Sequence, residues 1–165
     1  MTISPQIKAL RSTFIGAIVV TFLLCQRHVG FMVLFEVICV LVFIVISAWV
    51  SIRRPQQRSI QAAKIGVWLL SVGIVIGAHI ILAKKTKIDA QKIVDAVITY
   101  QASHGAYPPN IESIGFTESE RKSMIGLGGY FLTDGQPQFF YASTYVPFET
   151  EHFDFSKRIW RHSSD

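Results

Sequence analysis

An uninterrupted apolar segment leads directly into an amphipathic helix, and this arrangement constrains the fold most. Residues 65–83 include no Asp, Glu, Lys or Arg, and such a 19-residue stretch is about long enough to cross the hydrocarbon core of a bilayer. From Ile88 onward, apolar residues recur at steps of three and four, the period of a helix that packs on a soluble core. The pattern predicts one helix with a membrane end and a domain end.

Two further apolar segments precede this helix. Residues 29–52 carry a single charged side chain, Glu36, and are followed by a pair of arginines, which is typical of a transmembrane helix. Residues 12–26 are shorter and follow Lys8 and Arg11. We interpret them as an uncleaved span whose flanking cations reach the surface, because no small-x-small signal cleavage site follows; the alternative is a processed secretory signal.

These segments predict a two-part chain. Residues 1–84 form a membrane region with three transmembrane helices, at about 12–26, 29–52 and 65–83, which contacts membrane lipid. Residues 85–165 form a small, soluble α+β domain. With no linker between residues 83 and 89, the domain is expected to lie close to the membrane.

Charge is divided unevenly between the two parts. Residues 1–87 hold ten Lys/Arg and one acid, whereas residues 88–165 hold six Lys/Arg and ten acids, giving +9 and −4. The positive excess therefore flanks the apolar segments and does not indicate nucleic-acid binding. The basic link at 53–64 predicts a cytoplasmic N-terminus and a C-terminal domain on the periplasmic side of a bacterial inner membrane, although Lys84, Lys85 and Lys87 weaken this bias.

The C-terminal part contains clear helix-end and turn signals. Gly105 is placed to end the long helix in a left-handed conformation. Asn110 is placed to cap a single turn closed by Gly115. Thr117 and Glu120 have capping-box spacing for a short helix that reaches about residue 125.

Short aromatic and β-branched runs follow these signals. Asp134-Gly135 is a hairpin signal between the first two of them. They predict an antiparallel sheet on which the long helix packs. The runs are residues 130–133, 138–143, 145–148, 152–155 and 158–161.

The end of the long helix also carries a family resemblance. Tyr100, His104-Gly105 and Tyr107-Pro108 resemble the "Y…G.YP" corner of type IV pilin-like and pseudopilin-like extracytoplasmic domains. The resemblance covers about residues 66–165 and implies a long helix packed on a small antiparallel sheet. Residues 30–36 are similar to a prepilin cleavage site, but Glu36 lies six residues after Gly30 where that pattern requires five.

The apolar segments contain two features that a membrane anchor alone does not require. Glu36 and His79 are intramembrane polar residues near the outer ends of their helices. Glu36 could reach the interface or pair with Arg27 or His28, or it could meet His79 in a transport or sensing path. Gly73 and Gly77 form a GxxxG motif, which permits close helix packing within the chain or between two chains.

The sequence gives no positive indication of catalysis. It contains no G-x-S-x-G motif, P-loop or Rossmann glycine pattern, and its five histidines lack HxxxH or HExxH spacing. Cys25 and Cys39 lie in apolar surroundings, without CxxC spacing. We expect neither an enzyme nor a cofactor, metal or small-molecule substrate.

The sheet region is denser in aromatic residues than one buried face requires. Exposed aromatics on an acidic domain favour protein binding over catalysis, although both sheet faces could instead be covered. We therefore expect a non-catalytic binding protein, most concretely a toxin-neutralising immunity protein. The alternatives are a pilin-like or secretion-system assembly component and, less favoured, a transport or sensing subunit. The expected partner-binding residues are Tyr141, Tyr145, Phe148, Glu149, Glu151, Asp154 and Trp160.

Overall fold

The computed structural model describes residues 5–146 and 148–164, and the side chains of residues 10–146 and 148–163. They form four α-helices and a four-stranded sheet. The helices are α1 (Pro5–Leu24), α2 (Met32–Arg53), α3 (Arg58–His104) and α4 (Glu118–Ile125). The strands are β1 (Gly128–Thr133), β2 (Gln136–Ala142), β3 (Glu149–Asp154) and β4 (Ile159–Ser164). Contacts divide the chain into two units, Met1–His79 and Ile80–Asp165.

The first unit contains α1, α2 and the first part of α3. Both α2 and α3 are long and apolar enough to cross a membrane, whereas the apolar part of α1, Leu10–Leu24, is shorter. The predicted segment at 65–83 lies within α3. Of the segments at 29–52 and 12–26, α2 contains residues 32–52 and α1 contains residues 12–24. Lys8, expected to reach the membrane surface, lies outside the described side chains.

The second unit contains an antiparallel meander in the order β1-β2-β3-β4. Asp134 and Gly135 have φ angles of 52° and 76° and connect the paired residues Thr133 and Gln136. Positive φ at both central residues matches the twist of the flanking strands, so the hairpin prediction is confirmed.

The sheet has four strands where five runs were predicted. Tyr145, Val146 and Phe148 lie in the β2–β3 loop, and Pro147 of the same run lies outside the described residues. The Ser143 hydroxyl accepts hydrogen bonds from the backbone N–H groups of Tyr145 and Val146, at 3.2 and 3.5 Å. These donors are therefore turned toward the loop and do not extend a sheet ladder.

The core of this unit lies between α3 and one face of the sheet. Ala90, Ile93, Val94 and Val97 are fully buried at positions i, i+3, i+4 and i+7 of the helix. They share a cluster with Tyr130, Phe139, Tyr141 and Phe153 of the sheet and with Ile111 and Ile125. The expected packing of a long helix on an antiparallel sheet is confirmed.

The Tyr-Pro corner connects the end of α3 to this core. Gly105 follows the last helical residue with φ 72°, as predicted. The Tyr100 ring stacks on His104 at 4.0 Å, and Tyr107 meets Phe155 edge-on at 5.8 Å. Pro108 is fully buried, and its carbonyl accepts a 2.8 Å hydrogen bond from the Tyr130 hydroxyl.

The segment after the corner follows its local signals. Asn110 Oδ1 accepts a hydrogen bond from the Ser113 N–H, and Gly115 closes the turn with φ 87°. Thr117 and Glu120 form the predicted capping box at the start of α4. Each signal acts through hydrogen bonds among neighbouring residues, so it can be read without knowledge of the tertiary fold.

Two glycines with positive φ allow a matched test of the close approach between β1 and β2. A Cβ at Gly128, which has φ 112°, would lie 2.6 Å from the Tyr141 Cα atom, whereas a Cβ at Gly135 would meet no heavy atom within 4 Å. Gly128→Ala is therefore expected to lower the free energy of unfolding by about 1–3 kcal/mol more than Gly135→Ala. Urea unfolding in detergent, followed by near-UV circular dichroism, measures the difference. Equal losses would contradict the close β1–β2 approach at Gly128.

Candidate functional site

The expected partner-binding residues divide between surface and core. Phe148 is 78% exposed and Tyr145 is 37% exposed, both in the β2–β3 loop. Tyr141 is only 5% exposed, because strand alternation directs it with Phe139 toward α3. Trp160 is half-buried, and its Nε1 donates to Gln91 Oε1 at 2.8 Å. The exposed aromatic part of the expected surface is therefore the β2–β3 loop.

The three expected acidic residues have basic partners on β4. Glu151 Oε1 lies 3.0 Å from His162 Nδ1, and Glu149 lies 3.9 Å from Nε2 of the same ring. Asp154 pairs with Arg161 at 2.8 Å. Hydrogen bonds from the Ser156 hydroxyl and the Lys157 N–H, together with Arg161, lower the pKa of the Asp154 carboxyl. These carboxylates form a mixed-charge surface with β4.

A cavity of about 260 Å³ lies beside the loop, within the second unit. Its lining combines two cations, a carboxylate and four hydroxyl groups. Burial and the charge of Glu151 raise the pKa of Tyr141 to about 12, so its phenol is neutral at physiological pH. The lining residues are Ala83, Lys84, Lys87, Tyr141, Ser143, Thr144, Tyr145 and Glu151.

Sequence reasoning identified part of this cavity and missed the rest. The sequence predicts Tyr141, Tyr145 and Glu151 as part of one binding surface, whereas Lys84 and Lys87 bear there only on the charge bias that orients the membrane helices. Helical spacing places those two lysines on one side of α3. It does not indicate which strand they oppose, because the register between helix and sheet depends on tertiary packing.

A second aromatic surface lies on the sheet face opposite the core. Phe131 stacks on Phe140 at 5.8 Å, and Phe140 stacks on His152 at 5.4 Å. Phe131 and His152 are exposed. Strand alternation directs Phe140 away from Phe139, and the register Phe140↔His152 adds His152 to this surface.

The first unit contains a buried polar cluster contributed by three helices. Glu36 of α2 is only 6% exposed, and its Oε1 accepts a 2.8 Å hydrogen bond from Ser71 Oγ of α3. Ser71 Oγ also lies 2.7 Å from Thr21 Oγ1 of α1. Glu36 Oε2 has no hydrogen-bond partner among the described residues. A buried, half-satisfied carboxyl in apolar surroundings is costly.

His79 contacts the end of α1. It is fully buried, and its Nε2 lies 2.8 Å from the carbonyl oxygen of Leu24, at the end of α1. Ser71 precedes His79 by eight residues on α3, which corresponds to about 12 Å along a helix. Sequence reasoning identified Glu36 and His79 but missed Thr21 and Ser71, whose signal is weak because hydroxyl groups are common in apolar helices.

The space beside the two glycines of the GxxxG motif is open. A Cβ at Gly73 or Gly77 would meet no heavy atom within 4 Å among the described residues. Close packing of this motif against another helix of the same chain is therefore not seen in the part of the chain that the structure describes.

No metal centre emerges from the described side chains. They contain no group of three or more His, Cys, Asp or Glu residues that could hold a metal ion, and Cys25 and Cys39 are free thiols. Comparison of the chain with known protein families, with characterised proteins and with solved structures gives no match.

The Glu36 cluster makes a specific energetic prediction. Ser71→Ala removes the donor to Glu36 and is expected to cost about 1–3 kcal/mol of unfolding free energy, because it leaves the carboxyl without that partner. In a Glu36→Met background the same change is expected to cost less than about 1 kcal/mol. Unfolding of the detergent-solubilised chain by SDS, followed by far-UV circular dichroism, measures both values.

Ser47→Ala is the matched control, because Ser47 is buried and its hydroxyl has no hydrogen-bond partner among the described residues. It is expected to cost little. If Ser71→Ala has the same cost in both backgrounds, the Ser71–Glu36 hydrogen bond does not contribute to stability.

Proposed function

We propose that this chain is a non-catalytic, multi-pass protein of a bacterial inner membrane that binds a protein partner through its C-terminal unit. The most concrete form of the proposal is a toxin-neutralising immunity protein. The observation that carries it is the exposed β2–β3 loop, where Phe148 is 78% exposed next to Tyr145 and a half-buried Glu149. Exposed aromatic side chains of this kind are typical anchors of protein interfaces.

The membrane assignment rests on the surface of the first unit. Its helices expose large apolar side chains, with Leu34 at 64% and Ile52 at 73%. Exposing such an apolar surface to water is unfavourable, whereas covering it with lipid acyl chains has no comparable cost in free energy. We assign α2 and the apolar part of α3 as two spans and α1 as a shorter third span.

The orientation follows from the basic connection between α2 and α3. Arg53, Arg54, Arg58 and Lys64 lie within this short link, which places it in the cytoplasm by the positive-inside rule. Three spans then place the N-terminus inside the cell and the second unit in the periplasm. The net charge of −4 over residues 88–165 suits attraction of a basic partner.

A second candidate is a pilin-like or secretion-system assembly component. The geometry of the corner favours it, because Gly105 ends α3 and buried Pro108 joins the helix end to the sheet through Tyr130. A transport or sensing subunit is a weaker third candidate, and its support is the buried Glu36–Ser71–Thr21 cluster. Replacing Glu36 by Gln distinguishes this last candidate from the other two. Transport or sensing through the cluster would be lost, whereas protein binding through the second unit does not require that carboxyl.

A photocrosslinking side chain introduced at position 148 tests the binding proposal in intact cells. The matched control position is Lys157, which is also exposed but lies in the β3–β4 turn. We expect a discrete protein adduct from position 148 and a much weaker one from position 157. The yield is expected to fall with rising salt, because complementary charges speed encounter.

The identity of the adduct distinguishes the candidates. A basic secreted toxin, together with loss of protection in a Phe148→Ala variant, supports neutralisation. Adducts with further copies of this chain or with pilus subunits support assembly instead. Equal adduct yields at positions 148 and 157 would contradict binding through the β2–β3 loop.

A further inference from the structure

The cavity beside Tyr145 presents both signs of charge on a small surface. Lys84 and Lys87 lie three residues apart on α3, and Glu151 contributes a carboxylate from β3. Neither lysine forms an ion pair among the described residues. Glu151 meets His162 through Oε1. The cavity therefore holds two cations without a carboxylate partner and one carboxylate.

The two lysines and the carboxylate of this cavity together favour one chemical class of ligand over others. A phosphate oxygen accepts hydrogen bonds from lysine ammonium and hydroxyl groups, and Ser143 and Thr144 supply hydroxyls in the same lining. A primary ammonium group binds a carboxylate and the face of an aromatic ring such as Tyr145. A purely anionic ligand would be repelled by the carboxylate of Glu151, and a purely cationic ligand would be repelled by the two lysines. A zwitterion with both groups complements the whole lining.

We propose that this cavity binds the phosphoethanolamine headgroup of a membrane lipid, an inference that rests on the proposed crossing of the membrane by residues 65–83. Lys84 follows this apolar segment directly, where lipid phosphates lie. The phosphate contacts Lys84 and Lys87, and the ammonium contacts Glu151 and Tyr145. The 260 Å³ cavity has room for roughly nine water-sized groups, which accommodates the phosphate and the two-carbon amine.

Native mass spectrometry of the full chain tests this assignment. The chain is released from nanodiscs that contain equal amounts of phosphatidylethanolamine, phosphatidylcholine and phosphatidylglycerol with identical acyl chains. We expect phosphatidylethanolamine to be retained preferentially, because the choline headgroup cannot donate a hydrogen bond to Glu151 and the glycerol headgroup lacks the ammonium charge.

Three variants assign the contacts. Lys84→Gln combined with Lys87→Gln is expected to reduce phosphatidylethanolamine retention by at least about fivefold. Lys85→Gln is the matched control, because Lys85 is exposed on the same helix but does not line the cavity, and it is expected to change little. Glu151→Gln is expected to remove the preference for phosphatidylethanolamine over phosphatidylglycerol.

The outcomes separate this inference from the proposed function. Equal retention of the three lipids by the wild-type chain, or an equal loss from Lys85→Gln, would overturn the cavity assignment while leaving membrane insertion intact. Failure of the chain to incorporate into nanodiscs would overturn both. Soluble glycerophosphoethanolamine is expected to compete only weakly; if it binds as tightly as the lipid, the ligand is the soluble ester and the lipid assignment is wrong.

Discussion

The burial of one stripe of α3 against the inner face of the sheet underlies the architecture of the second unit. Ala90, Ile93, Val94 and Val97 are fully buried there, and the facing aromatic residues Phe139 and Phe153 are paired across β2 and β3. Because a strand alternates its side chains, this contact directs Tyr141 into the core and leaves Phe140 on the opposite face. The same contact therefore determines which aromatics are available to a partner.

Outside this core, polar side chains are paired with one another in both units. In the second unit, the acids on β3 meet His162 and Arg161 of β4, and exposed aromatics lie both in the β2–β3 loop and, with Phe131, on the outer face of the sheet. In the first unit, Glu36 is held by Ser71, which in turn contacts Thr21. Burying a carboxyl of this kind has a cost in stability.

Features with local causes could be predicted from the sequence. The end of α3 at Gly105, the Thr117 capping box and the Asp134-Gly135 hairpin each depend on a few adjacent residues. Features that depend on contacts between distant parts of the chain could not be predicted from the sequence. The burial of Tyr141 in the core, the presence of Lys84, Lys87 and Glu151 in one cavity lining, and the Glu36–Ser71 hydrogen bond all depend on register between elements distant in the chain. The run at 145–148 was predicted as a strand because its composition fits one, whereas the Ser143 hydroxyl draws the Tyr145 and Val146 amides into a loop.

We propose that the apolar helices are retained as a membrane anchor for the C-terminal unit. The intact mass of the protein purified from carbonate-washed membranes tests this directly. We expect the full 18.5 kDa chain in the membrane fraction, with α1, α2 and α3 all present. A mass that lacks residues 1–30, or recovery of the chain in the soluble fraction, would contradict the three-span anchor, and the former result would place pilin-type processing and assembly first.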